Sequence, residues 1–280
     1  MGFSAKIIAD SINPSGSRLT TVELTYPRCI HSEFMTHRMF SRNAASSRAI
    51  PVEKMIKAIE EEPFIPIHWG VNQKGMQADK ELPLEDRLAC EDTWLKARNH
   101  ALRHVRTMMN QGLHKQIANR ILEPWMWITV ICTGNQNAYE NFFKLRCHKD
   151  AEPHIQKIAF MLRKIYDERE RSSVTQLRWG RLHVPLTGFD GDELLTEEDL
   201  KKVSVARCAR VSYLTHEGRR DVQADIALHD RLAASGHWSP FEHVAAAGAC
   251  WSEKASGNFG KGWLQYRKEF ANEMCRNAPR

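Results

Sequence analysis

Residues 36–48 read Thr-His-Arg-Met-Phe-Ser-Arg-Asn-Ala-Ala-Ser-Ser-Arg and say more about fold and function than any other stretch of the chain. His37 and Arg38 are adjacent, and further arginines follow at positions 42 and 48. Three serines and an asparagine lie among these cations, without a carboxylate. Guanidinium groups and hydroxyls at this density suit a phosphorylated ligand better than a protein core. A loop of solvated charges ahead of a helix is the alternative interpretation.

A second polar cluster, residues 135–146, reads Asn-Gln-Asn-Ala-Tyr-Glu-Asn-Phe-Phe-Lys-Leu-Arg. A helix is predicted over 138–145, and it would place Asn141 and Leu145 on one face with Arg146 at its end. Amides that face a cleft can recognise the edges of a heterocycle, and the arginine can pair with a developing anion. The alternative is an asparagine cap followed by an ordinary amphipathic helix.

A third cluster lies in two stretches on either side of a predicted helix. Residues 206–213 read Ala-Arg-Cys-Ala-Arg-Val-Ser-Tyr, and residues 236–243 read Gly-His-Trp-Ser-Pro-Phe-Glu-His. Two histidines that bracket a Ser-Pro turn are suited to bind the phosphate tail of an aromatic ligand. A histidine-capped turn packed on Trp238 is the alternative.

These clusters resemble signatures of the flavin-dependent thymidylate synthases, the ThyX family. The first is similar to Arg-His-Arg-x7-Ser, with Thr36 at the position of the first arginine and matches at His37, Arg38 and Ser46. The second is similar to Asn-x5-Asn-x3-Leu-Arg, with matches at Asn135, Asn141, Leu145 and Arg146.

Two further parts of the chain carry the same resemblance. Residues 206–213 and 236–243 are similar to the family blocks Ala-Arg-Val-Ser-Tyr and Gly-His-x-[Ser/Thr]-Pro-Phe-Glu-His. Arg120 and Pro124 are similar to an Arg-x3-Pro element that precedes the central strand of the family. Coincidence over this many separate blocks is improbable.

The order of the blocks differs from that of the family, in which the Pro-Phe-Glu-His block precedes the His-Arg motif. The resemblance therefore implies a circularly permuted α+β fold, with a central, mostly antiparallel sheet flanked by helices. Residues 1–280 would form a single catalytic domain, with 170–195 as the segment that connects the permuted halves. Permutation requires original termini that lie close together. We accordingly expect residues 4–26 and 244–250 to be adjacent strands or strand ends.

The resemblance implies reductive methylation of dUMP to dTMP, with FAD as cofactor and NADPH and methylenetetrahydrofolate as co-substrates. Arg146 is the candidate catalytic residue, because the matching arginine is held to activate the pyrimidine. The implied nucleotide-binding residues are Ser46, Arg48, Arg120 and Arg146. The implied flavin-binding residues are His37, Arg38, Asn135, Asn141, His237 and Ser239. The family shares its sites between the subunits of a homotetramer, so an oligomer is expected.

Four departures from the family pattern bear on substrate identity and flavin affinity more than on fold. They are Thr36 for arginine, Glu33 where glutamine is frequent, Ala44 where glutamate is usual, and Asn137 where arginine is common. The cations that could compensate for the lost arginine are Arg28, Arg42 and Arg178.

Composition restricts the remaining possibilities. Lys plus Arg number 40 against 34 acidic residues, a net charge of +6 that suits a small polyanion and is too dispersed to indicate nucleic-acid binding by itself. The seven cysteines are scattered without a Cys-x-x-Cys pair, which indicates reduced thiols and a cytoplasmic location. No metal-ligand spacing is found, so no metal is expected. The apolar runs are too short to span a membrane.

Local patterns predict strands at 4–10 and 18–26, a helix from Pro27 to about Arg38, and a buried strand at 125–132. A long helix is predicted over 85–111, and others over 114–122, 150–169, 196–209 and 220–234, with a last one near the C-terminus. Thr196 is the predicted cap of its helix.

Two other functions stay open at this level. A related enzyme would transfer the same one-carbon unit to give a different product, for instance a hydroxymethylated pyrimidine. A binding protein for nucleotides or nucleic acids would have kept the fold and lost the chemistry. The related enzyme would give a product whose mass differs from that of dTMP. The binding protein would bind short DNA with a steep salt dependence.

Overall fold

The computed structural model describes residues 2–169, 173–215, 218, 220–249 and 252–273, and its largest element is a five-stranded mixed sheet. The strands of this sheet are β1 (Ser4–Ile12), β2 (Arg18–Pro27), β3 (Ser41–Ala44), β4 (Trp127–Asn135) and β5 (Thr175–Gln176). Their order is β3-β4-β2-β1-β5. Neighbouring strands are antiparallel except β5, which runs parallel to β1. The predicted α+β class and the mostly antiparallel sheet are therefore confirmed.

A smaller antiparallel sheet has three strands in chain order, β6 (Leu182–His183), β7 (Ala245–Ala247) and β8 (Trp263–Gln265). The helices are α1 (His31–Phe34), α2 (Val52–Glu61), α3 (Leu84–Asn110), α4 (Lys115–Ala118), α5 (Gln136–Arg146), α6 (Pro153–Asp167), α7 (Glu197–Ala209), α8 (Val222–Ala234) and α9 (Glu253–Ser256). No helix in the described ranges has the length and apolarity that a membrane span requires.

The strand β4 is buried on both faces, which explains its nearly continuous apolar sequence. Val130 and Cys132 belong to the main hydrophobic cluster, together with Phe142 of α5 and Ile158 of α6. Ile131 points the other way and packs in a separate cluster with residues of the 208–211 segment. Because successive side chains of a strand alternate in direction, the large sheet lies between α5 and α6 on one face and the end of α7 on the other.

Most of the predicted elements are present, including both N-terminal strands, the long helix α3 and the Thr196 cap, whose hydroxyl accepts from the Asp199 N–H. The helix predicted from Pro27 to Arg38 is wrong in its extent, because it consists of a 3-10 turn and a single short helix that ends at Phe34. The last predicted helix falls partly on residues 274–280, which lie outside the described residues.

The expectation that residues 4–26 and 244–250 form adjacent strands is corrected in one respect. Residues 245–247 pair with β6 and β8 and not with β1 or β2. The two regions still meet through side chains, since Leu19 of β2 packs with Ala245 and Ala247. The segment 170–195 is also more than a connection, because β5 pairs with β1 and β6 pairs with β7.

Candidate functional site

A cleft of about 1080 Å³ brings together residues from two of the sequence clusters. Ser46 and Arg48 from the first cluster line it, and so do His237 and Ser239 from the third. Of the site residues predicted from the sequence, these four line the cleft. A cleft of this size is large enough for a nucleotide or a dinucleotide cofactor.

The turn that follows β3 sets the position of Ser46 and Arg48. The Ser46 N–H donates to the Ser212 carbonyl at 3.1 Å, and the Ala49 N–H donates back to the Ser46 carbonyl at 2.9 Å. Lys115 Nζ donates to the Ala49 carbonyl at 2.8 Å and so connects the start of α4 to this turn. Arg48 is exposed and has no ion-pair partner among the described residues, so its guanidinium is available to a ligand.

The end of α8 sets the position of His237 and Ser239. Gly236 adopts a left-handed φ of 71°, which reverses the chain and lets the His237 N–H donate to the Leu232 carbonyl at 3.0 Å. Ser235 Oγ lies 2.8 Å from His237 Nδ1, so the Nε2 edge of this exposed ring is the one left for a ligand. Ser239 Oγ donates to Asn43 Oδ1 of β3 at 3.3 Å, a contact that joins the third cluster to the first.

The charged side chains that the structure describes in the lining of the cleft are all cationic. Among the described residues, the charged residues of the lining are Arg48, Lys115, Arg210 and Arg231, without an aspartate or a glutamate. Arg210 is the one with a buried counter-ion, since its Nε donates to Asp225 Oδ1 at 2.8 Å. The cleft therefore favours a ligand that carries several negative charges.

A second group of predicted residues lies where α1 meets the end of α5. Arg146 donates from Nε to His37 Nε2 at 2.8 Å, and its Nη1 forms an ion pair with Glu33. The His37 ring packs edge-on against Phe142, with 4.8 Å between centroids. Arg42 donates to the His37 carbonyl at 3.0 Å and so secures the turn that carries the ring.

The protonation state of His37 follows from this environment. Burial, together with the neighbouring cations Arg146 and Arg42, lowers the pKa of His37 to about 4. The ring is thus neutral at physiological pH, and its Nε2 accepts the hydrogen bond from Arg146. Arg146 is held between one anion and one neutral acceptor.

The remaining predicted site residues do not line the cleft. Arg38 and Asn141 are exposed. Asn135 uses both ends of its amide internally: Oδ1 caps α5 by accepting from the Ala138 N–H at 3.0 Å, and Nδ2 donates to the Phe259 carbonyl at 3.0 Å. Arg120 donates to Glu123 at 2.8 Å.

Two of the three cations suggested to compensate for Thr36 are already engaged. Arg28 lies 3.6 Å from Glu123, and Arg42 donates to the carbonyls of Met35 and His37. Thr36 follows the short helix, and its hydroxyl donates to the Glu33 carbonyl at 2.7 Å.

Sequence reasoning missed several residues that line the cleft, namely His114, Lys115, Arg210 and Arg231. Arg231 looks like an ordinary solvated cation on an amphipathic helix, and His114 and Lys115 lie outside every recognised motif. Arg210 carried a signal, because it belongs to the Ala-Arg-Val-Ser-Tyr block. Only the tertiary fold brings the other three to the same cleft.

The donor set of the cleft fits a phosphate-bearing cofactor such as a flavin dinucleotide. Hydroxyls, imidazoles and guanidinium groups face one space, and the lining residues that the structure describes include no carboxylate. Such groups bind phosphate oxygens by charge-assisted hydrogen bonds. In the described part of the chain, no group of three or more His, Cys, Asp or Glu side chains is arranged to hold a metal ion.

A comparison with protein families gives a match over residues 19–169, more than half of the chain, to the family described as thymidylate synthase complementing protein. A search of curated proteins gives no match. The matched range includes the first and second sequence clusters. The third, with His237 and Ser239, lies outside it.

Proposed function

The chain belongs to the thymidylate synthase complementing protein family, also called ThyX, and from this premise we propose that it is a flavin-dependent thymidylate synthase. The reaction proposed is the reductive methylation of dUMP to dTMP, with FAD as cofactor and with methylenetetrahydrofolate and NADPH as co-substrates. The observation that carries the proposal is the cleft in which Ser46 and Arg48 face His237 and Ser239.

The proposed role of Ser46 and Arg48 is to bind the nucleotide phosphate. An unpaired guanidinium and a hydroxyl on one rigid turn form the bidentate, charge-assisted contacts that a phosphate accepts. Arg120 is proposed as a further nucleotide contact. It would have to share its charge with Glu123, so we expect its contribution to be smaller than that of Arg48.

The proposed flavin contacts are His37, Arg38, Asn135, Asn141, His237 and Ser239. When bound, the flavin supplies the hydride that completes the methyl group. His237 and Ser239 support this assignment most directly, because both line the cleft. The Asn135 amide already caps α5 and donates to Phe259, so a flavin contact would need one of these hydrogen bonds to be exchanged.

The proposed catalytic group is Arg146. A fixed cation next to the pyrimidine stabilises negative charge that moves into the ring, which makes its C5 carbon a better nucleophile. Neutral His37 accepts from Arg146 Nε and fixes the plane of the guanidinium. Glu33 binds the same guanidinium and reduces its net charge, so this carboxylate opposes activation of the ring.

The proposal also requires a second copy of the chain. Arg146 does not line the cleft that contains Arg48. An oligomer, proposed as a homotetramer, would bring Arg146 of one copy to the cleft of another. Within each copy, residues 1–280 are proposed to act as a single catalytic domain.

Circular permutation is part of the proposal. Three features support it: the block order along the chain, a family match that leaves out the third cluster, and the hydrogen bond from Ser239 to Asn43. The segment 170–195 is proposed to be the permutation junction.

The test is to incubate the purified protein with dUMP, methylenetetrahydrofolate, FAD and NADPH and to measure the mass of the nucleotide. A gain of one methylene unit is the expected result. A hydroxymethylated product would identify a related pyrimidine-modifying enzyme. Unmodified dUMP from a protein that binds no flavin would contradict the proposal and favour a non-catalytic binding protein.

A further inference from the structure

The turn over residues 46–50, which carries the proposed phosphate contacts, is held by one fully buried side chain. Asn119 follows α4 directly and is 0% exposed. Its Nδ2 donates to the Ser47 carbonyl at 2.6 Å and to the Ile50 carbonyl at 3.0 Å. Its Oδ1 is buried and has no hydrogen-bond partner among the described residues. The side chain therefore acts on the turn through its donor end, and it fixes two carbonyls that are three residues apart.

The carboxylate of Glu123, four residues after Asn119, connects the same turn to another proposed nucleotide contact. Glu123 Oε1 accepts from Ser47 Oγ at 3.0 Å and from Arg120 Nη1 at 2.8 Å. Arg120 is the next residue after Asn119 in the chain. The short segment 119–123 thus fixes the position of the turn and carries Arg120.

The hydrogen bonds of Asn119 also set the direction of the Arg48 peptide. A trans peptide holds its C=O and N–H on opposite sides, so the Ser47 carbonyl that bonds Asn119 directs the Arg48 N–H away from Asn119. This N–H has no hydrogen-bond partner among the described residues. Arg48 lines the cleft, and Asn119 does not. The side of the turn opposite Asn119 therefore offers an N–H and a guanidinium, both of which are donors to phosphate oxygens.

We infer that Asn119 is a positioning residue for phosphate binding, which holds the turn over residues 46–50 in the geometry that presents Arg48 to the cleft. Asn119 acts through Arg48 and does not touch the ligand. The inference rests on the proposed function only for the identity of the ligand, because inorganic phosphate carries the same recognised group as dUMP. Loss of the Asn119 hydrogen bonds should weaken the binding of phosphate-bearing ligands, and mainly while Arg48 is present.

The test is isothermal titration of the full-length protein, as purified, with dUMP, inorganic phosphate and deoxyuridine. Asn119→Leu removes the amide donors and keeps a side chain of similar volume. It is expected to bind dUMP and phosphate about tenfold more weakly than wild type, and to change deoxyuridine affinity less than about twofold. Asn119→Ser keeps one hydroxyl donor and should weaken both phosphate-bearing ligands by about threefold. It supplies the same comparison if the leucine variant does not fold.

A double-mutant cycle separates positioning from a general loss of stability. In an Arg48→Gln background, Asn119→Leu should weaken dUMP binding by less than about threefold, because the guanidinium that the turn presents has been removed. A tenfold loss that persists in this background would refute a role of Asn119 through Arg48.

The matched control is Asn13→Leu, at another buried asparagine whose Nδ2 donates to two backbone carbonyls, those of Lys261 and Gly262. Asn13 does not line the cleft. Its replacement should lower the urea midpoint and leave dUMP affinity unchanged. The inference is wrong if a folded Asn119→Leu protein binds dUMP as tightly as wild type, or loses dUMP and deoxyuridine affinity equally. It is equally wrong if Asn13→Leu weakens dUMP binding as much as Asn119→Leu.

These outcomes are distinct from those of the product-mass assay. A protein that makes no dTMP but shows the expected differences in phosphate affinity would lose the proposed function and keep this inference. A protein that makes dTMP, and whose Asn119→Leu variant keeps full dUMP affinity, would keep the function and lose the inference. If wild type binds neither dUMP nor phosphate, both are refuted.

Discussion

At the scale of single residues, the most consequential contact is the one between Glu33 and Arg146. Glu33 stands where glutamine is frequent in the ThyX family, and its carboxylate binds the guanidinium that the proposed mechanism relies on. His37, which also contacts Arg146, is neutral because burial and two neighbouring arginines lower its pKa to about 4. Glu33 is therefore the anion in this group that compensates Arg146.

Replacing Glu33 with glutamine should raise kcat. The amide oxygen can still accept from Arg146, while the full charge of the guanidinium becomes available to the pyrimidine anion. Because both side chains are partly exposed, water screens the effect, and we expect an increase of about three- to tenfold and not the much larger value of a buried pair. Steady-state kinetics at saturating nucleotide measure it.

Two variants make this result specific. Glu140→Gln removes an exposed carboxylate from α5, the helix that also carries Arg146, and should leave kcat unchanged. Arg146→Ala should lower turnover by at least about 100-fold while the flavin absorbance is retained. A Glu33→Gln enzyme that is no faster than wild type, or full activity in Arg146→Ala, would contradict the role given to Arg146.

At the scale of elements, a buried ion-pair cluster holds the 185–192 segment onto α7. Arg207 is 1% exposed, and besides Asp192 and Asp225 it donates to the Leu186 carbonyl at 2.9 Å. Ser204 Oγ adds a bond to the Pro185 carbonyl at 2.6 Å. The same cluster positions Arg210 at the wall of the cleft, so the proposed permutation junction is anchored directly behind the site.

Asp192→Asn should destabilise the fold by about 3 kcal/mol, because it leaves the Arg207 charge buried with an incomplete set of anions. The urea midpoint measures the loss, and limited proteolysis between residues 185 and 195 shows whether it is local. Glu197→Gln is the control, since it breaks an exposed pair with Arg181 and should cost less than about 1 kcal/mol. Equal losses in the two variants would show that burial of the cluster adds nothing to stability.

The elements also show what the sequence could and could not predict. The long helix α3 and the Thr196 cap were predictable, because periodicity and capping are local signals. The strand β3 was missed, since four residues are too few for a pattern and its buried Asn43 looks out of place until its bond to the Cys208 carbonyl is known. Arg231 was missed for a related reason, because its partners in the cleft come from distant parts of the chain.

At the scale of the whole molecule, a chain of buried hydrogen bonds connects the two sheets. Thr21 Oγ1 of β2 lies 2.8 Å from His183 Nε2 of β6 and 2.7 Å from Thr133 Oγ1 of β4. His243 Nδ1 lies 2.8 Å from the same Thr133 hydroxyl, and Ser11 Oγ lies 2.9 Å from His183 Nδ1. Burial lowers the pKa of both histidines to about 3, so the connection depends on neutral rings.

This connection should make the protein acid-labile in a defined range of pH. An unfolded histidine takes up a proton below about pH 6.5, whereas His183 and His243 stay neutral in the folded chain down to about 3. The contribution of these two rings to the free energy of unfolding is therefore fully present above about pH 6.5. It falls as the pH drops towards 3, by about 1.4 kcal/mol per pH unit for each ring. Buried carboxylates with lowered pKa values add to this loss only below about pH 4.5, where the unfolded carboxyls begin to take up protons.

Urea midpoints measured between pH 8 and 5 should be constant at the upper end and decline below about 6.5. His31 and His37, whose pKa values are lowered to about 4, add to the slope, so a variant is needed to isolate the connection between the sheets. His183→Gln offers amide groups to Thr21 and Ser11 without a titrating ring and should reduce the slope by about one proton's worth, or 1.4 kcal/mol per pH unit. The control variant His100→Gln, on the exposed face of α3, should not reduce this slope. An unchanged slope in His183→Gln would mean that the ring between the sheets takes up its proton in the folded protein, and that the two sheets do not depend on its neutrality.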